Sequence, residues 1–166
     1  MQYFSDPVLK VLSAAGWQAD RNIFHKLTLP SKKKLFRNAK EIIEKLGLLE
    51  IEFIGRSGHE IIYFDVDDSI VSMNMRARIF GYDNYQRPLL KNEPDYEAKE
   101  NFKWVEKAEE YVNMPLSRIG FLEDEFGYNI YVGENGYIYV AHSEEPVLAS
   151  LNYIDFLNST ILSANL

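Results

Sequence analysis

The sequence predicts an α+β fold with a mainly antiparallel sheet, and three observations lead there. The stretch from Leu116 to His142 falls into three short apolar-alternating runs, broken at Asp124–Gly127 and at Glu134-Asn135-Gly136, which is a three-stranded meander. Leu49–Ile54 and His59–Val66 flank Gly55-Arg56-Ser57-Gly58, which is a hairpin. Segments with helical spacing stand before the hairpin, between hairpin and meander, and after the meander. The expected order is N-terminal helices, hairpin, one middle helix, meander, and a C-terminal helix packed on the sheet. With 166 residues, 46% of them hydrophobic, and no repeat, low-complexity tract or long linker, residues 1–166 read as a single domain.

In chain order, Ser5-Asp6-Pro7 opens the first helix, because Ser5 or Asp6 can cap free N–H groups and proline is tolerated in the first turn. Leu9 and Leu12, with Val8 and Ala15, form its stripe, and Gly16 ends it. Trp17 and Arg21 follow; structurally, Trp17 fills a seam between helix and sheet and Arg21 pairs with a carboxylate. Ser31 signals a second helix with Leu35, Ala39, Ile42, Ile43 and Leu46 inward and Gly47 at its end. Lys32, Lys33 and Lys34 oppose the dipole of that helix, as a solvated start or as contacts for an acidic partner. Tyr82–Glu97 reads as a loop, and a middle helix runs from about Tyr96 to Val112, stopped by Pro115. Ser150 opens the last helix, with Leu151, Ile154, Leu157 and Ile161 inward.

The meander's register follows from its second turn. A three-residue loop at Glu134-Asn135-Gly136, with Gly136 left-handed, sets Val132 against Ile138 and Ile130 against Val140. Tyr131 then lies opposite Tyr139, with Tyr137 beside them, on the other face. A two-residue Asn-Gly loop would mix the aliphatic and aromatic sides.

Composition restricts the chemistry. Cysteine is absent, which removes disulfides, thiol nucleophiles and thiolate metal sites and fits a reducing, cytoplasmic setting. No secretion signal or membrane-length apolar run is visible. A net charge of −7 repels phosphate backbones, arguing against nucleic acid, and attracts basic partners; the same charge also serves solubility. Gly-x-Ser-x-Gly, His-Glu-x-x-His, Rossmann and Walker patterns do not occur, and His25, His59 and His142 are scattered singly. Asp65 and Asp67 alternate onto one face and are the best metal candidates, although a polar strand end entering a turn explains them as well. No catalytic set, cofactor or metal site is therefore expected.

Several of these segments together resemble a known family. They are Ala15-Gly16-Trp17 with Arg21, Ala39–Leu49 leading into a hairpin, Leu116 with Ile119-Gly120, Tyr128-Asn129-Ile130-Tyr131-Val132, and Asn135-Gly136-Tyr137-Ile138-Tyr139. In this order, with a closing helix, they are similar to the SUKH superfamily, in particular its third subfamily of bacterial immunity proteins, across nearly the whole chain. The resemblance implies a non-catalytic α+β protein that binds and occludes a cognate toxin domain, often a nuclease, encoded beside it. A regulatory or scaffolding module of the same fold is the alternative.

For an acidic protein without a catalytic set, occlusion of a basic toxin domain would draw on charge and aromatic anchors. The candidate contacts are Glu50 and Glu52 on the first hairpin strand, Glu123, Asp124 and Glu125 at the first meander turn, and Tyr131, Tyr137 and Tyr139 on the aromatic face. The opposing reading is that the tyrosines pack beneath a helix or cover a half-solvated sheet.

Overall fold

Glycine and alternating aliphatic residues set the sheet. The computed structural model describes residues 3–23, 35–64, 105–143 and 145–163. Two helices come first, α1 (Asp6–Ala14) and α2 (Arg37–Leu46), followed by the hairpin β1 (Glu50–Gly55) and β2 (Gly58–Phe64). Helical residues 105–112 (α3) lead into the meander β3 (Leu116–Glu123), β4 (Tyr128–Gly133) and β5 (Ile138–Ala141). A further strand, β6 (Val147–Ser150), precedes the last helix, α4 (Tyr153–Leu162). The six strands lie in the order β1-β2-β3-β4-β5-β6, each antiparallel to its neighbour. The α+β class with a mainly antiparallel sheet thus holds.

The register expected at the second turn is the one observed. Ile130 faces Val140, Tyr131 faces Tyr139, and Val132 faces Ile138. Gly136 has φ +84°, and Gly133 N donates to Tyr137 O at 2.9 Å, closing the three-residue loop. Between β3 and β4 the pairing slips at Arg118–Gly120, a bulge that places Ile119 in the core.

One sheet face carries the main core. Ile51, Phe53, Ile62, Phe64, Ile119, Ile130, Val132 and Ile138 meet Val8 and Leu12 of α1, Ala39, Ile42, Ile43 and Leu46 of α2, and Phe156, Leu157 and Ile161 of α4. Each fully buried large aliphatic side chain there contributes roughly 1.5–3 kcal/mol relative to exposure. The opposite face holds a smaller cluster in which Ala108 of α3, flanked by Val105 and Val112, covers Leu116, Tyr131, Tyr139 and Ala141.

Several local expectations are corrected. Ser150 belongs to β6 and does not open the last helix. Asn152 is the cap, its Oδ1 accepting from Asp155 N at 2.9 Å. Leu151 is exposed, and Phe156 takes the inward place expected of it. Arg21 donates through Nη2 to Gly47 O at 2.9 Å, at the end of α2, so its partner is a carbonyl where a carboxylate was expected. Trp17 packs on the main core edge-to-face with Phe4, 5.7 Å between ring centroids. Asn158 of α4 ties down the chain start, accepting from Ser5 N at 3.0 Å and donating to Tyr3 O at 3.1 Å. Ser31, Lys32–Lys34, His25, Asp65, Asp67 and Tyr82–Glu97 lie outside the described residues, as does the first part of the middle helix.

Candidate partner-binding surface

Strand register decides which acidic side chains meet. Glu52 pairs with Ile61, and Ile61 with Glu123, so residues from three strands form one row. The neighbouring row runs Glu50, Tyr63, Phe121, Asn129 and Ala141. Both rows lie on the face opposite the main core, because Ile51, Phe53 and Ile62 point the other way. Glu50, Glu52 and Glu123 are therefore brought together from segments some seventy residues apart, and Asp124 and Glu125 follow Glu123 in the β3–β4 turn at the edge of this face.

These groups differ in setting. Glu52 is exposed and faces His59 Nε2 at 3.2 Å, with about half of each side chain in solvent, so the pair adds little stability. Glu50 and Glu123 are half-buried. Tyr63, buried between them, has its phenol pKa pushed well up, first by burial and then by the negative charges of Glu123 and Glu52. Arg118, buried in the row beyond, donates through Nε to Asn129 Oδ1 at 2.7 Å and sits opposite Tyr131.

The tyrosine anchors do not hold as a set. Tyr131 has no solvent exposure and Tyr139 only 8%, because α3 lies over both. Burial also pushes the Tyr131 phenol pKa up. Tyr137 is exposed, but it follows the β4–β5 turn, at the end of the strands opposite Asp124 and Glu125. The accessible candidates that the fold gathers are Glu50, Glu52, Glu123, Asp124 and Glu125, with the exposed Ile54 at the hairpin tip.

A groove of about 340 Å³ adjoins this end of the sheet, lined by Arg56, Ser57, Glu60, Asp124, Phe126, Tyr128 and the last turn of α4. Its deepest charge is Glu60, 6% exposed, whose Oε1 accepts from Ser57 N at 2.9 Å. Glu60 is not among the acidic positions that the sequence singles out. The signal was alternation, since Glu60 falls on the same face of β2 as Ile62 and Phe64, where an apolar residue is the norm.

Among the described residues, no three His, Cys, Asp or Glu side chains converge as a metal site requires, and no helix is long and apolar enough to cross a membrane. The arrangement offers fixed negative potential beside apolar and aromatic surface, which suits recognition of a cationic protein surface. No family model matches the chain, and no curated protein or solved structure matches it.

Proposed function

We propose that this chain is a cytoplasmic immunity protein of the SUKH kind, which binds a cognate toxin domain of basic character and neutralises it by occlusion, with no bond-making of its own. The sequence resemblance supports the family. The observation that carries the mode of action is the gathering of Glu50, Glu52 and Glu123 onto one sheet face, with Asp124 and Glu125 beside it in the β3–β4 turn. Carboxylates at fixed spacing on a sheet need no reorganisation when a basic surface arrives. They speed the encounter and set its register, while exposed Ile54 supplies apolar area at the edge.

The test is capture of the toxin domain encoded beside this chain, together with survival of cells that express both. Capture that weakens with added salt, and weakens further in the Glu52→Lys, Glu123→Lys double variant, supports the reading. Failure of the wild-type chain to capture that domain at low salt ends it.

A further inference from the structure

We propose that the groove between the β1–β2 turn, the β3–β4 turn and the end of α4 is a socket for one arginine side chain of the basic partner. The inference rests on the partner reading above and gives it a specific contact. Glu60 is the central observation. It is 6% exposed, and among the described residues its carboxylate receives a single hydrogen bond, from Ser57 N. A carboxylate can accept about four, so Glu60 keeps acceptor capacity toward the groove that it lines. Gly55 makes this placement possible, because a β-carbon there would collide with the Glu60 carboxylate. A cation entering the groove supplies what Glu60 lacks.

The remaining walls suit a guanidinium. Asp124 Oδ1 accepts from Phe126 N and Gly127 N, each at 2.8 Å, which fixes the carboxylate and leaves Oδ2 outside the turn's bonds. Ser159, Thr160 and Ser163 belong to the C-terminal turn of α4, where the helix dipole is negative. Phe126, 58% exposed, and Tyr128, whose rings also meet that of His142 at 6.1 and 5.8 Å between centroids, line the groove with aromatic surface of the kind on which a planar cation stacks. Arg56 also lines the groove, but it forms no ion pair with Glu60 or Asp124, and the two carboxylates outnumber it. The opposite sign of ligand, a phosphate held by Arg56, is the competing outcome.

The experiment is an amide NMR titration of the full chain with ethylguanidinium, and in parallel with inorganic phosphate. Saturable shifts at Ser57, Glu60 and Phe126 are expected with ethylguanidinium and are lost in Glu60→Gln. Phe126→Ala, at an exposed position, is expected to weaken binding roughly three- to fivefold with an unchanged melting temperature. The proposal is overturned if ethylguanidinium gives no saturable shift, if the shifts survive in Glu60→Gln with binding unweakened in Phe126→Ala, or if phosphate alone produces them. Because the probe needs no partner protein, toxin capture with a silent groove defeats only the socket, and a responsive groove without toxin capture defeats only the partner reading.

Discussion

At Gly120 the chain leaves no space for even a methyl group: a β-carbon there would run into the Tyr63 carbonyl of the neighbouring strand and lie 3.2 Å from the Phe64 Cα. The obstacle is backbone within a paired ladder, which cannot swing aside as a side-chain end can. Gly120→Ala is expected to destabilise the fold by about 1–3 kcal/mol, the cost of overpacking, seen as a lower urea midpoint at unchanged slope. Tyr131 presents the converse case. Its hydroxyl is buried and has no hydrogen-bond partner among the described residues, so removing the oxygen removes a desolvated polar atom and leaves the ring's packing intact. Tyr131→Phe is expected to hold or raise the urea midpoint, by up to about 1 kcal/mol in stability. A drop of similar size would mean that the hydroxyl is hydrogen-bonded in solution.

Among the elements, the passage from β6 into α4 distinguishes two residues that look equally able to start a helix. Asn152 accepts from Asp155 N, whereas Ser150 is paired with Ile138 at the sheet edge. Asn152→Ala is expected to cost about 1 kcal/mol in a thermal melt, and Ser150→Ala much less. Comparable losses would show that the helix begins earlier than the structure places it. The same region shows where sequence reading works and where it fails. The β4–β5 register was legible because Asn135-Gly136 demands one loop conformation and only one register separates aliphatic from aromatic faces. Val147-Leu148-Ala149-Ser150 gave no such signal, since its first three residues are all exposed and alternation is absent. The shared face of Tyr131 and Tyr139 was readable, but not its roof. The Val105, Ala108 and Val112 stripe of α3 says that the helix packs, not which side of the sheet it covers. Glu50, Glu52 and Glu123 were picked out singly as acidic positions, while their common row depends on pairings between distant strands that no local pattern carries.

Across the whole molecule, buried tyrosines tie stability to alkaline pH. Burial raises the phenol pKa of Tyr63, Tyr131 and Tyr153, and at Tyr63 the carboxylates of Glu123 and Glu52 raise it further. These groups stay protonated in the folded chain above about pH 10, where tyrosines of the unfolded chain ionise. The folded state then binds more protons than the unfolded state, so stability falls as pH rises. The contribution is complete below about pH 10 and declines through the folded pKa values above it. Urea midpoints measured from neutral to strongly alkaline pH should therefore hold level and then drop, with tyrosinate absorbance of the folded protein lagging that of the urea-unfolded chain. Tyr63 is buried more deeply and lies beside two carboxylates, so Tyr63→Phe should flatten the alkaline drop more than Tyr153→Phe, whose ring is only half-buried and where Lys45 and Glu41 act in opposite senses. Equal flattening by the two variants would mean that neither the deeper burial of Tyr63 nor its neighbouring carboxylates separates the two phenols.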